Sequence, residues 1–213
     1  EEARLAVMGC HALLEQGAGP ALIFDIGGGS TELVLVSTTG GVPEILDWVS
    51  VPWGVVSLTE SERAEAETPE QLNAIYTSMR AKVMASFAEF AARLPEDGGD
   101  RRLLGTSGTV TTLASVYLKL NSYDRRAVDG LHLPTAAMRE ISRELAGRTI
   151  ERRAEFPTIG HERADLVVAG CAILEAIFDI WPGERLGVAD RGIREGILRA
   201  LMASDAKRRN RRN

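Results

Sequence analysis

The sequence predicts an α/β fold: a mixed β-sheet covered by helices on both faces, with a helical insertion. Three observations carry that expectation. Two short apolar runs, Ala21-Leu22-Ile23-Phe24 and Leu33-Val34-Leu35-Val36, flank a glycine-rich turn, and a third strand-like run follows near residues 43–51, so three antiparallel strands open the fold. Helical and strand patterns then alternate to the end of the chain, which brings further strands alongside the first three. The chain is also long enough, at 213 residues, and apolar enough, at 45% hydrophobic, to bury a sizeable core.

The elements follow in order. Residues 1–20 read as an incoming helix over Glu1–Gln16, carrying Leu5, Met8, Leu13 and Leu14, ending near Gly17 and starting without a capping residue. Strands are expected at 21–25, 31–37 and 43–51, with Gly40-Gly41 turning between the last two. Val51-Pro52-Trp53-Gly54 breaks the pattern before a short helix at 57–62. Thr68-Pro69-Glu70-Gln71 is a capping box with proline at the first helical position. Leu72, Ile75, Tyr76, Met79, Val83, Phe87, Phe90 and Leu94 then recur at spacings of three and four, the stripe of an amphipathic helix of about 25 residues. Arg102–Leu104 is a strand, Gly105–Thr109 a glycine–hydroxyl turn, and Val110–Leu120 a helix. Residues 121–162, poorer in apolar side chains, are expected as the helical insertion. Arg163–Trp181 is apolar on nearly all sides and must be deeply buried. Arg185–Val188 and Gly192–Met202 complete the domain, 21–204, as strand and helix. Residues 205–213 form a basic tail expected to be disordered.

Composition excludes several classes. No apolar run approaches the ~20 residues that cross a bilayer, and no signal-peptide pattern opens the chain, so a cytoplasmic location is expected and no membrane role. Cys10 and Cys171 sit in helix-like apolar stretches and read as core thiols. Net charge is −5; removing the five positive charges of Lys207–Arg212 leaves the rest near −10. A solubilising tail on an acidic body gives no expectation of nucleic-acid binding. His11, His132 and His161 share no metal-ligand spacing. Trp48, Trp53 and Trp181 are expected to pack, with Trp53 the one placed to line a cleft. Asp165 and Asp190 read as structural carboxylates, and Arg194 and Glu195 as ion-pair formers.

The chemistry concentrates in the octet Asp25-Ile26-Gly27-Gly28-Gly29-Ser30-Thr31-Glu32. Consecutive glycines allow unusual backbone angles and let main-chain N–H groups converge on an anion. Asp25 at the strand end and Glu32 beyond the hydroxyl residues supply hard oxygens suited to Mg²⁺. Gly105, Ser107, Gly108 and Thr109 form a second anion candidate, where N–H groups and the helix dipole at a strand-to-helix turn favour phosphate.

Taken in order, Glu1-Glu2-Ala3-Arg4-Leu5, DIGGGSTELV at 25–34, GTSGTVTTLA at 105–114 and ADRGIREGIL at 189–198 resemble the exopolyphosphatase/guanosine pentaphosphate phosphohydrolase family, a branch of the actin-like phosphotransferase superfamily. The resemblance covers the chain except its tail. It implies a ribonuclease-H-like domain that hydrolyses the terminal phosphoanhydride of inorganic polyphosphate or pppGpp with Mg²⁺. It assigns Glu2 to the attacking water, Asp25 and Glu32 to the metal, and Gly27, Gly28, Gly29, Ser30 and Thr31 to the substrate's phosphates. The family carries a first phosphate loop, D-x-G-S-N-S, on a preceding domain. Nothing in this sequence matches that loop, so the missing N-terminal domain is the expected partner and little activity is expected from this chain alone. A homodimer stays open. So do a non-catalytic module sensing guanosine polyphosphates and an ATP-dependent, kinase-like member of the same superfold.

Overall fold

In a computed structural model, residues 7, 10–15, 17, 19–38, 43–62, 66–96 and 100–190 are described. Glu2, the helix expected at 192–202 and the basic tail lie outside the described residues. Of the opening segment, Val7 and Cys10 are helical and buried, and a 3₁₀ turn follows at His11–Leu13.

Six strands form one mixed sheet: β1 Ala21–Ile26, β2 Thr31–Ser37, β3 Glu44–Val51, β4 Arg102–Gly105, β5 His132–Pro134 and β6 Arg185–Val188, in the spatial order β3-β2-β1-β4-β6-β5. The first three are an antiparallel meander; β1, β4 and β6 run parallel, and β5 returns antiparallel on β6. The parallel strands are reached by helical crossovers, as parallel neighbours require. The helices are α1 Val55–Ser61, α2 Pro69–Ala91, α3 Gly108–Tyr117, α4 Arg125–Val128, α5 Thr135–Ala146, α6 Ile150–Ala154, α7 Gly160–Arg163 and α8 Val167–Ile180.

Strand alternation sorts the apolar residues into two cores. Leu22, Phe24, Ile26, Leu33 and Leu35 face the α2 stripe of Tyr76, Met79, Val83, Phe87 and Phe90, together with the apolar residues of α8. Ala21, Ile23, Val34, Val36 and Leu104 face the other way, onto Val7 and Cys10. The α2 capping box forms as expected: the Gln71 N–H donates to Thr68 Oγ1 at 3.3 Å, and the Thr68 N–H donates to Gln71 Oε1 at 3.1 Å. In α8 every residue from Val167 to Phe178 is buried, Glu175 included. Cys171 lies in that core, where burial pushes its thiol up to about 12.

Two expectations are corrected. Residues 121–162 are not wholly helical, because β5 lies within them at the sheet edge, and α5 packs its Met138 and Leu145 into the main core. A three-residue strand ending in proline carries no periodicity from which to be read. Trp181 is fully buried and donates its Nε1–H to the Arg102 carbonyl, but Trp48 is 55% exposed on edge strand β3.

Candidate active site

The octet folds as a tight hairpin. Ile26 pairs with Thr31 and Asp25 with Glu32, while the Gly27 N–H donates to the Ser30 carbonyl at 2.9 Å, leaving Gly28 and Gly29 at the tip. None of the three glycines has a left-handed φ, so unusual backbone angles are not their reason for being glycine. A Cβ on Gly29 would meet nothing within 4 Å, and one on Gly28 only Val56 at 3.7 Å. Protein packing therefore leaves these positions open, and the space a side chain would fill is free for a ligand to approach the backbone.

Directly paired residues in an antiparallel ladder share a face. Asp25 and Glu32 thus stand side by side, on the face that carries Ile23 and Val34. Ser50 pairs with Glu32 on β3, and its hydroxyl donates to Glu32 Oε1 at 2.9 Å; Ser30 donates to the same oxygen at 2.7 Å. Burial, aggravated by the charge of Glu32 and opposed by a hydrogen bond from Thr106, raises Asp25 to about 6. Ser50, Glu32 and Asp25 on three adjacent strands, and Thr106 just past the end of the fourth, form a polar row at the carboxyl ends of parallel strands β1 and β4. Ligands of open α/β sheets bind outside that edge.

Among the described residues no three His, Cys, Asp or Glu side chains converge as a metal cage. The donor set present still suits Mg²⁺, which commonly takes one or two carboxylates and completes its shell with water and substrate phosphate. Two facing carboxylates, with the charge of Glu32 helping to raise Asp25, are the arrangement a divalent cation relieves.

On the other side of the hairpin tip, Ile26, Gly27 and Gly28 meet Gly108, Thr109 and Thr112 of α3, with Val55, Arg163, Leu166 and Val167, around a cleft of about 250 Å³. The two glycine turns, each read from the sequence as an anion candidate, are therefore neighbours. Arg163, absent from the sequence-based candidates, donates to Thr112 Oγ1 at 3.2 Å and puts a cation beside both. Its only sequence signal is a basic residue at the head of an otherwise apolar helix.

Three expected ligands leave the cradle. Thr31 is fully buried and gives its hydroxyl to the Trp53 carbonyl at 2.6 Å. Gly105 belongs to β4, where a Cβ would stand 2.6 Å from the Phe24 ring and 2.7 Å from Val110, so it is glycine for packing. Ser107 is the N-cap of α3: its Oγ accepts the Val110 N–H at 3.2 Å. Gly108, with nothing within 4 Å of its Cβ position, and Thr109 at the cleft wall stay in the cradle. Trp53 does not line the cleft; its Nε1–H donates to Ser86 of α2 at 2.9 Å. Asp190 is structural, bridged to Arg125 at 3.0 Å. A larger cavity, about 660 Å³, lies between α1, α2, α6 and the start of α8, and no residue of either glycine turn reaches it. The backbone cradle and paired acids outweigh its size as marks of a site.

Fold and site together define a ribonuclease-H-like domain of the actin-like class. The family model described as "Ppx/GppA phosphatase family" matches residues 1–205, and the chain belongs to that family. It is 31% identical over 177 residues to Exopolyphosphatase 2 of Mycobacterium tuberculosis, covering 83% of this chain and 53% of that protein. It is 29% identical over 193 residues to the guanosine-5'-triphosphate,3'-diphosphate pyrophosphatase of Aeromonas salmonicida, covering 89% of this chain and 35% of the relative. The chain thus spans about half the length of the first of these relatives and about a third of the second. Among solved structures, the Aquifex aeolicus Ppx/GppA family member superposes with a TM-score of 0.75 at 25% identity, covering 96% of this chain and 62% of that one.

Proposed function

We propose that this chain is the metal- and phosphate-binding half of a hydrolase that removes the terminal phosphate of inorganic polyphosphate or of guanosine pentaphosphate. The observation that carries the reading is the open backbone at Gly28, Gly29 and Gly108, set next to two paired carboxylates at the same end of the sheet. The similarity to an exopolyphosphatase and to a guanosine-5'-triphosphate,3'-diphosphate pyrophosphatase supports the substrate class. Both substrates end in the same phosphoanhydride, and nothing in the cradle distinguishes them.

In this reading the N–H groups of the hairpin tip and of the first turn of α3 bind the terminal phosphoryl oxygens, and Arg163 offsets their charge from the cleft wall. Asp25 and Glu32 hold Mg²⁺, which when bound neutralises negative charge on the phosphate chain. Glu2 carries the family's water-orienting role by resemblance. No covalent nucleophile is needed, because positioning and electrostatics dominate phosphoryl transfer. Lacking the family's first phosphate loop, the chain on its own binds tripolyphosphate weakly and turns it over little.

Calorimetric titration of tripolyphosphate into the 213-residue chain, with Mg²⁺ and then with EDTA, tests the site. Binding is expected only with Mg²⁺ and is lost in Glu32→Gln. Metal-independent binding, or none at millimolar ligand, removes the site. Rapid phosphate release by the chain alone removes the claim that it is half of a catalyst.

A further inference from the structure

We propose that Gly54 and Ser57 are positioning residues that turn the hairpin tip into a phosphate cradle, by a backbone clamp from the first turn of α1. The inference deepens the phosphate-site reading and rests on it for its ligand, but the clamp itself is a matter of geometry.

All three carbonyls of the triple-glycine tip are taken up by that turn. Gly27 O accepts from the Val55 N–H at 2.9 Å, Gly28 O from Val56 at 2.8 Å and from Ser57 at 3.2 Å, and Gly29 O from the Ser57 hydroxyl at 3.2 Å. The Ser57 Oγ also accepts the Gly54 N–H at 2.9 Å, which fixes the turn's own start. N–H groups at a helix start have no partner within the helix and usually turn to water or an anion. Here they are spent on the loop, so α1 is not itself the anion site.

The consequence follows from peptide geometry. In a trans peptide the carbonyl of one residue and the N–H of the next point in opposite directions, and no cis bond occurs among the described residues. Drawing the carbonyls of Gly27, Gly28 and Gly29 toward α1 therefore aims the N–H groups of Gly28, Gly29 and Ser30 away from it. Among the described residues none of these three amides finds a protein acceptor. Three successive unpaired amides aimed alike form the concavity that binds an oxyanion.

The approach is possible only because residue 54 is glycine. A Cβ there would lie 2.4 Å from both the carbon and the oxygen of the Gly28 carbonyl and 2.5 Å from Gly27 O. All three obstacles are backbone atoms, so the clamp must open to admit a methyl group. The neighbouring residue is latched as well: Thr31, at the other end of the tip, donates to the Trp53 carbonyl, and the Trp53 ring nitrogen is tied to Ser86 on α2. The aim of the loop is thus referred back to the longest helix among the described residues.

The test uses the full chain with Ser57→Ala, Ser57→Thr and Gly54→Ala, followed by amide resonances, tripolyphosphate titration in Mg²⁺ and thermal unfolding. Ser57→Ala is expected to shift the Gly28, Gly29 and Ser30 amide resonances and to weaken tripolyphosphate about tenfold, as the loss of an aligned hydrogen bond implies. Its melting point should fall only slightly. Ser57→Thr, which keeps the hydroxyl, should restore both readouts to within about threefold of the parent. Gly54→Ala should move the same resonances further if it folds; the Ser57 pair decides the matter if it does not. Unmoved tip resonances in Ser57→Ala, or equal loss of binding in Ser57→Thr, overturn the clamp. If the parent chain binds no tripolyphosphate, the phosphate-site reading fails, and the clamp is judged by the resonances alone.

Discussion

Asp25→Asn should make the metal-free protein more stable while abolishing its response to Mg²⁺. Asp25 titrates at about 6 in the folded chain against an ordinary 3.8, first because it is buried and second because Glu32 faces it across the hairpin. A gap of about two units, at 1.36 kcal/mol each, amounts to about 3 kcal/mol of unfavourable charge held in the native state above pH 6. The sign follows from proton counting. Between about pH 4 and pH 6 the native carboxyl keeps a proton that the unfolded chain has lost, so wild-type stability falls as pH rises through that window and is level on either side. Asparagine removes the titration and keeps an oxygen that can accept from Thr106. Urea unfolding in EDTA at pH 4, 5, 6 and 7.5 should therefore show a variant that matches wild type at the acid end. At pH 7.5 it should exceed wild type by up to about 3 kcal/mol, or about 6–12 °C in melting temperature for a domain of this size. Mg²⁺ at ten times its dissociation constant should stabilise wild type by about 1.4 kcal/mol and the variant not at all. An Asp25→Asn chain less stable than wild type at pH 7.5, or one that follows the same pH profile, would refute the carboxylate-pair argument.

Gly29→Ala, whose added methyl meets no protein atom, should leave unfolding within about 0.5 kcal/mol of wild type yet weaken tripolyphosphate binding measured by calorimetry; a stability loss with binding intact would contradict the open cradle. Gly105→Ala drives a methyl into Phe24 and Val110 and should cost about 1–3 kcal/mol in urea unfolding, with no such cost for alanine at the open Gly108 position beyond helix-start effects. Ser107→Ala removes the cap of α3 and should cost about 1 kcal/mol by the same measure, with Ser107→Asp restoring most of it.

What the chain disclosed in advance was whatever depends on near neighbours. The hairpin could be read because its strands, turn residues and acids fall within seventeen positions, and the α2 start because a capping box is four residues long. The placement of Thr31 was also legible, though unused. If Asp25 and Glu32 share a face, strand alternation must send the adjacent Thr31 to the opposite one, into the core. Other features depend on distant partners and carry no local mark. Gly105 is glycine because Phe24, eighty-one positions earlier, occupies the space of its side chain. Arg163, at the end of α7, stands at the cleft beside Thr112 of α3, fifty-one positions earlier, and α8 packs Gly170 so close to Thr109 that a Cβ would stand 2.4 Å from Oγ1. β5 exists because β6 offers it an edge, not because three residues prefer to be extended.

The hairpin does two tasks because an antiparallel ladder has two faces and one tip. Six residues separate Asp25 from Glu32, and a two-residue tip closed by Gly27 and Ser30 is what sets those acids opposite each other. One residue more or less in the turn would move Glu32 to the face of Phe24 and Leu33, burying a charge in the α2 core and leaving Asp25 unmatched. The tip must therefore be short, and a short tip exposes few amides; its use as a cradle depends on aiming those few the same way. That requirement accounts for why the segment after β3 breaks its strand pattern at Pro52-Trp53-Gly54 and returns a helix start to the carbonyl side of the glycines. Carboxylate pairing and amide alignment are then consequences of one register, so a change that slips the hairpin loses metal and phosphate together, whereas a change in α1 loses phosphate alone.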